Sequence, residues 1–474
     1  MFEMSHRQKR KLLILFSLFL IAILTISTIS IVNAVDKTIS PTTPGGLKQA
    51  IETTENGDTI YLKNGVYSGE NNTNISINKS INIKGKTSEV VLDGNGKNNF
   101  FTIYKNNKVS LKSLKFTNGY SKNDGGAINS NGTLTLSDCT FTNNKATNVG
   151  GAISSDRLTV SNCTFTNNSV SGSGAINSDS KCSVSKSTFK NNKATLGGAI
   201  SSDDGILTVN KSIFTNNQAT KYNGGAIYTF DDIIGSKYTI SNSTFKNNQA
   251  KDDGGAIYSE GTCIVSKSTF KNNKASTGGA IFMHGDLNVR SCTLTNNQAN
   301  KNGGAIYSES IGTVSKSIFK NNKANNGGAI YSWHRLTVSK STFTNNQANK
   351  NGGAIEFHKF GYYNLGNGES GYAGTLTLKT SIFTKNKANQ NGGAIYFSSN
   401  AIDSINGLVS ACTFKNNKAI KNGGAIIVIK NALKITNTKF NKNIADKKYN
   451  AIYNSKSKIT KKNVKITPKE GTKA

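Results

Sequence analysis

The strongest constraint on the fold is a pair of short motifs that recurs at a nearly constant spacing. Gly-Gly-Ala-Ile occurs eleven times, first at residues 125–128 and last at residues 423–426. Nearly every copy follows a segment of the form Phe-x-x-Asn-x-Ala, and most successive Phe positions are 24 or 25 residues apart, with longer steps of 31 and 40. A fixed period of this length is typical of a solenoid, whose units bury their apolar sides only against neighbouring units.

The alternation of side chains within one repeat predicts short β-strands. In residues 158–165, Leu158, Val160, Cys163 and Phe165 would point inward, and polar pairs would form the corners. A strand at Gly-Ala-Ile would close each coil as its third strand. Three strands per turn predict an all-β fold, a right-handed parallel β-helix of about 13 coils preceded by a few irregular ones. The Phe side chains would form an inward ladder, the Asn amides a hydrogen-bonded stack, and the paired Gly a corner with positive φ. With 3 Pro and no three-residue Gly period, collagen is excluded.

The N-terminus has the pattern of a targeting segment. Basic residues at 7–11 precede an apolar stretch over 12–32, and Val32-Asn33-Ala34 resembles a signal-peptidase site. We therefore predict a signal peptide, or an uncleaved anchor, over 1–34, and an exported, cell-surface protein. Residues 35–115 would hold a cap, with a short helix at 47–51, and irregular coils. Residues 116–452 would form the repeat helix and 453–474 a Lys-rich cap or tail.

These motifs carry a family resemblance. Paired GGAI and FxxN motifs over 116–452 resemble the repeats of chlamydial polymorphic outer-membrane proteins and those of adhesin-like surface proteins of methanogenic archaea. Of the two resemblances, the archaeal one fits the short Lys-rich tail better. Both imply a parallel β-helix on an exported surface protein that acts in adhesion.

The six Cys occupy core positions of the repeat. Cys139, Cys163, Cys292 and Cys412 lie two residues before the Phe position, and Cys182 and Cys263 lie at another inward position. Buried free thiols are the expected state. A bond between Cys139 and Cys163 in adjacent coils is the alternative.

Two outward rows follow the repeat Ile. The residue directly after it is aromatic in five successive coils: Tyr228, Tyr258, Phe282, Tyr307 and Tyr331. Two residues further on, the same face carries Glu260, His284, Glu309, Trp333 and His358, with His334 beside them. Aromatic rings beside carboxylates predict a sugar-binding groove. The alternative is an ordinary solvated strand face. A metal site at Glu260, His284 and Glu309 is disfavoured, because neighbours on a flat sheet converge poorly.

The longest interruption of the repeat lies at the same edge. The insert over 359–374 contains Phe360, Tyr362, Tyr363 and Tyr372 among glycines and polar residues. Insertions confined to one edge let a solenoid build a binding surface without disturbing its core. We predict that residues 356–374, with Trp333 and His334, form the main ligand or partner contact. The alternative is an insertion that is merely tolerated at a turn.

Lysines recur elsewhere in the repeat, three residues before and one residue after the Phe position. The formal net charge of +32 and these rows predict a cationic face that attracts acidic envelope polymers or host glycans. A solubilising face is the alternative. Nucleic-acid binding is not expected, because the rows contain no interleaved aromatics and Arg is scarce.

Two function classes are compatible with these patterns. An adhesin-like protein that binds glycans, envelope polymers or partner cells, without catalytic residues, metal or cofactor, is favoured. A polysaccharide lyase or hydrolase of the parallel β-helix type is the alternative. The acidic pairs at 203–204, 231–232 and 252–253 form no evident acid/base pair.

Overall fold

The computed structural model describes residues 35–203, 205–230, 236–359, 374–399, 406–446 and 448–472. The predicted signal segment and Phe360, Tyr362, Tyr363 and Tyr372 therefore lie outside the described residues. The described chain winds into a parallel β-helix, in which each strand pairs with the equivalent strand of the next coil. The one antiparallel pair among the described strands, Ile444–Ala445 with Lys448–Tyr449, lies near the C-terminal end.

One coil illustrates the whole helix. Strands Ile257–Ser259 and Thr262–Ser266 belong to sheet A, Thr269–Lys271 to sheet B and Lys274–Ala275 to sheet C. In the described residues, sheet A has 29 strands, sheet B 16 and sheet C 14. The third face differs from the prediction. The third face is formed by the two-residue strand that follows the buried Asn. The strand that begins at the repeat Ile instead belongs to sheet A, and in Ile128–Ser137 it runs without interruption into the next strand of that sheet.

The sixteen strands of sheet B mark sixteen successive coils. Their bounds are Gly65–Ser68, Val90–Asp93, Lys115–Thr117, Thr140–Thr142, Thr164–Thr166, Thr188–Lys190, Ile213–Thr215, Thr244–Lys246, Thr269–Lys271, Thr293–Thr295, Ile318–Lys320, Thr342–Thr344, Ile382–Thr384, Thr413–Lys415, Lys439–Asn441 and Lys465–Thr467. In sheet A, the strands that begin at the repeat Ile near the candidate site are Ile227–Phe230, Ile257–Ser259, Ile281–Met283, Ile306–Ser308, Ile330–Ser332, Ile355–Lys359 and Ile395–Ser399.

The Phe ladder forms the centre of the core, as predicted. Phe245 and Phe270 stack with ring centroids 4.8 Å apart and planes 2° from parallel. Nearly the same spacing recurs from Phe116 to Phe245, and it measures the rise of one coil. Each buried ring contributes about 1.5–3 kcal/mol through the removal of apolar surface from water.

The predicted Asn ladder runs beside the Phe ladder. The Nδ2 atom of Asn273 donates to the carbonyl of Phe245 and to Oδ1 of Asn297, each at 3.0 Å. Oδ1 of Asn273 in turn accepts from the backbone N–H and the Nδ2 of Asn248. The amide is fully buried, so the ladder satisfies polar groups that water cannot reach. The corner that follows the ladder closes at the first Gly of each pair, such as Gly254 with φ of 66°, as predicted.

The two ends of the β-helix differ, and the cysteines lie between them. Helix α1, Gly46–Glu52, lies at the N-terminal end with Leu47, Ala50 and Ile51 buried, as the sequence predicted. At the other end, strands Ile452–Ser455, Lys458–Lys462 and Lys465–Thr467 add a last coil rich in exposed lysine. All six cysteines are buried free thiols, as expected, and the backbone N–H of Cys139 donates to Sγ of Cys163 at 3.4 Å. The α1 helix is short, and no helix among the described residues is long and apolar enough to cross a membrane.

Candidate functional site

The first row of the candidate site is an aromatic column on the outer side of sheet A. Its members are Tyr228, Tyr258, Phe282, Tyr307 and Tyr331, and the strand register places them on consecutive rungs. Neighbouring rings stack with centroids 4.7–5.3 Å apart. One residue separates each ring from the next outward side chain on the same strand, and this residue, such as Ser259 or Ser308, is buried. The predicted alternation of inward and outward side chains is therefore correct.

The aromatic column is much less exposed than an outward row on a solvated strand. Tyr258 is 5% exposed and Tyr307 is 4% exposed. Each ring covers the faces of its neighbours, and the tight turn at Gly254 folds back against the strand, where an added Cβ would lie 2.9 Å from the backbone N of Tyr258. The ring faces are therefore engaged within the protein. A ligand at this column would meet ring edges and hydroxyl groups.

The second row, which we call the edge row, consists of Glu260, His284, Glu309, Trp333 and His358. Its side chains are half-buried or exposed and lie one per coil. The hydroxyl of Tyr258 donates to Oε1 of Glu260 at 3.0 Å, and the ring of Trp333 lies edge-on to Tyr307 at 5.8 Å. Nδ1 of His358 lies 2.6 Å from Oγ of Ser398. The sequence-predicted residues are thus brought together as a continuous strip of polar and aromatic groups.

An ion pair links two members of the edge row. Nδ1 of His284 contacts Oε2 of Glu309, with the side chains 43% and 26% exposed. Burial alone would lower the pKa of His284, but the hydrogen bond to Glu309 and the charges of Glu309, Glu260 and Asp253 outweigh it and raise the pKa. Burial, and after it the Glu309 carboxylate, raise the pKa of Tyr307, so its hydroxyl stays protonated.

Glu356 is an unexpected member of the aromatic column. The register places it between Tyr331 and Tyr396, in the position that is aromatic in the preceding coils. It is 5% exposed, and its Oε2 atom has no hydrogen-bond partner among the described residues. Burial raises the pKa of Glu356 to about 8, only partly opposed by the charge of Lys350.

An acidic residue lies beside the aromatic column. Asp253, from one of the acidic pairs, lies at the turn before Gly254 near His284, and burial raises its pKa. The acidic pair is visible in the sequence, but its place beside the aromatic column was not predicted; its position directly before a Gly pair is the signal that locates it. Among the described residues, no group of three or more His, Cys, Asp or Glu side chains is arranged to hold a metal ion.

Comparisons with known families agree with the fold. Residues 197–368 match the model of the right handed beta helix region. Residues 138–156, 186–203, 380–398 and 411–427 match the Chlamydia polymorphic membrane protein repeat. The fold is therefore the predicted right-handed parallel β-helix, and it carries repeats of the polymorphic membrane protein type. No curated protein sequence matches the chain at a significant level.

Solved structures of carbohydrate-active enzymes are distantly similar. A mannuronic acid specific polysaccharide family 6 lyase from human gut microbiota is 12% identical with a TM-score of 0.37, covering 86% of this chain and 82% of the lyase. The catalytic domain of a GH87 alpha-1,3-glucanase is 12% identical with a TM-score of 0.33, covering 90% of this chain and 68% of that domain. The PL6 family alginate lyase AlyGC is 9% identical with a TM-score of 0.30, covering 92% of this chain and 98% of AlyGC. At these values the likeness concerns the β-helix architecture alone.

Proposed function

We propose that this protein is an adhesin-like protein of the cell surface that binds glycans or envelope polymers of host or neighbouring cells. The polymorphic membrane protein repeats support a surface location, as does the resemblance to the adhesin-like proteins of methanogenic archaea. The sixteen coils of the described residues offer long outer rows, which suit an extended ligand better than a compact one.

The observation that carries the proposal is the edge row beside the aromatic column. Along five successive rungs it offers carboxylate, imidazole, carboxylate, indole and imidazole groups. Carboxylates and imidazoles accept or donate hydrogen bonds to sugar hydroxyls, and the half-buried Trp333 is the member that can pack against a sugar ring. A linear glycan lying parallel to the helix axis would meet one such group per coil.

We extend the proposed contact to residues 356–374. Glu356 and His358 lie on the strand Ile355–Lys359 that leads into this segment, and Trp333 and His334 lie one coil earlier. Aromatic residues on a Gly-rich segment favour adaptable contact surfaces. We therefore include this segment, together with the edge row, in the proposed contact.

A glycan array with the purified protein tests the edge row. The test variant combines Glu260→Gln, Glu309→Gln and Trp333→Ala. The matched control combines Glu52→Gln, Glu70→Gln and Tyr104→Ala, which are exposed residues near the N-terminal end with the same change of charge and aromatic content.

We expect the control to retain glycan binding and the edge-row variant to lose about tenfold or more, since hydrogen bonds to charged groups contribute about 1.5–3 kcal/mol each. Equal binding by the two variants would refute the edge row as the site. Release of shorter sugar products during the same incubation would instead favour the lyase or hydrolase alternative.

Deleting residues 360–373 tests the extended contact. The deletion brings Ile355 and Leu376 to the seven-residue separation that Ile200 and Leu207 already have, so the coil can close without strain. We expect an unchanged β-sheet spectrum and melting temperature with weaker attachment to the target glycan. Unchanged attachment would remove this segment from the site and leave the edge row to be tested alone.

A further inference from the structure

The corner between sheets B and C has a distinct chemistry. Lys-Asn-Asn-Lys occurs four times at this corner, over residues 190–193, 271–274, 320–323 and 415–418. In each copy the first Lys ends a strand of sheet B, the second Lys begins a strand of sheet C, and both are exposed. The first Asn has positive φ and lies at the corner, and the second is the buried Asn of the ladder. We call this surface the Lys–Asn corner.

The exposed Asn side chains of the corner form a ladder of their own. Nδ2 of Asn272 donates to Oδ1 of Asn247, and Nδ2 of Asn247 donates to Oδ1 of Asn216, each at 3.2 Å. Nδ2 of Asn216 donates to Oδ1 of Asn191 at the same distance. These bonds hold one amide per coil in a fixed orientation on the surface, and the rise of one coil is 4.8 Å. From Asn191 to Asn272 the corner therefore carries a ladder of hydrogen-bonded amides, with lysines on both sides of the amide at residues 190–193 and 271–274.

Acidic residues are absent from the Lys–Asn corner. Between residues 181 and 430 the sequence has twelve Asp and Glu residues. In sequence, each one belongs to a pair before a Gly-Gly motif or to the stretch between the repeat Ile and the second strand of sheet A. None of the three ion pairs among the described residues involves a lysine of the corner. The positive charge of this surface is thus uncompensated within the described chain.

Lysines on neighbouring strands of the Lys–Asn corner lower the stability of the fold. Lys246 is paired directly with Lys271 on the next strand of sheet B, and Lys387 with Lys418 in sheet C. Like charges directly opposite each other on neighbouring strands repel, which destabilises the sheet. The fold itself accepts neutral residues at both positions, because Thr215 and Gln218 occupy them in another coil. Folding therefore gives no reason for the lysines.

We propose that the Lys–Asn corner is a second binding site, separate from the edge row, and that it binds a linear acidic polysaccharide aligned with the helix axis. A uronate polymer carries one carboxylate on each sugar, and the length of an extended sugar is close to the rise of one coil. Some coils carry lysine at this corner and others carry Thr or Gln, as at Thr295 and Gln298. The lysines would pair with those carboxylates that lie opposite them, and the hydrogen-bonded amides would bind hydroxyl groups between them. A polynucleotide fits less well, because it would leave its bases without aromatic side chains to stack on.

The test uses polygalacturonate, with its fully methyl-esterified form as the uncharged counterpart. The corner variant combines Lys271→Thr, Lys274→Gln, Lys320→Thr and Lys323→Gln, which replaces two copies of the motif by the Thr-Asn-Asn-Gln that residues 215–218 already have. The control variant combines Lys63→Gln, Lys97→Gln, Lys105→Gln and Lys108→Gln, exposed lysines of the N-terminal coils, and has the same net charge. Biolayer interferometry measures binding, and circular dichroism checks that each variant is folded.

We expect the native protein to bind polygalacturonate but not the methyl ester, with affinity falling steeply as added salt screens the charges. The corner variant should bind at least about tenfold more weakly, and the control variant about as well as the native protein. The edge-row variant should also retain this binding, which separates the two sites. Absence of binding to polygalacturonate, equal loss in the corner and control variants, or equal affinity for single-stranded polyuridylate would each overturn the proposal.

Discussion

The Asn ladder supports a sharp prediction at Asn273. Replacing this amide by the isosteric carboxyl of Asp removes the two bonds that Nδ2 donates to the Phe245 carbonyl and to Oδ1 of Asn297. The new oxygen would face two acceptors in a site with no exposure to water. A buried polar group left without its partner costs about 1–3 kcal/mol, so Asn273→Asp should lower the free energy of unfolding by about 2–6 kcal/mol.

The pH dependence of this cost has a definite sign. Burial raises the pKa of a carboxyl group above its value in the unfolded chain. In the Asn273→Asp variant, the protonated carboxyl group can donate one bond, so the cost is smallest in acid. It grows as pH rises from the unfolded pKa to the folded pKa and is constant above the folded pKa. The two bonds that Asn248 donates to this position remain in either state, because a carboxyl oxygen can accept both.

The neighbouring Asn272 provides the control. It is exposed, its φ of 57° is accessible to Asp, and its amide donates one exposed bond to Asn247 at 3.2 Å. Asn272→Asp should therefore cost less than about 1 kcal/mol. Urea denaturation compares the two variants over a range of pH values.

Hydrogen exchange shows which coils Asn273→Asp destabilises. Because each coil contacts only its neighbours, Asn273→Asp should reduce protection mainly in the coils of Phe245, Phe270 and Leu294. Two results would contradict the idea that the Asn ladder stabilises each coil through its neighbours. One is that Asn273→Asp lowers the free energy of unfolding no more than Asn272→Asp does, and the other is a loss of protection spread evenly over all coils.

Three further predictions concern the core and the site. Phe270→Ala removes one ring from the stack and should cost about 3–5 kcal/mol by urea denaturation, whereas the outward Thr269→Ala should cost under about 1 kcal/mol. Glu356 has a pKa raised from 4.5 to about 8, which corresponds to a penalty of about 5 kcal/mol for the ionised form. The native protein should therefore lose stability as pH rises from about 5 to about 8, and Glu356→Gln should abolish that loss; parallel pH curves would refute it. The raised pKa of His284 means that its pair with Glu309 stabilises the fold below the unfolded value of 6.5 and that this contribution is lost as pH rises through the folded value. At the exposure of this pair the effect should stay under about 1 kcal/mol, and titration of the His284 ring by NMR, with and without Glu309→Gln, measures the shift directly.

The distant similarity to lyases and glucanases does not bear on the edge row. Parallel β-helices share one way of stacking coils, and function depends on which side chains the outer rows carry. The rows of this protein carry one polar or aromatic group per coil, which is the arrangement on which the proposed binding role rests.

The sequence alone determined the repeating core. The repeat positions of Phe270, Asn273 and Gly278 recur at one period. Equivalent residues therefore occupy equivalent places in every coil, and the same interaction is repeated along the helix. Inward and outward positions also followed from the sequence, because side chains alternate along a strand irrespective of the surroundings. The short helix at the N-terminal end could likewise be predicted from its local pattern.

Only the tertiary structure decided how the outer rows are used. Tyr258 stands on the outward side, yet it is buried, because stacked neighbours and the turn at Gly254 cover it. The pairing of His284 with Glu309 and the isolation of Glu356 depend on how far side chains reach between coils. The third sheet likewise depends on how sharply the chain turns after the buried Asn. A repeat period specifies which residues lie on neighbouring rungs, but not the distances and angles across a coil, and those set burial, ion pairing and pKa.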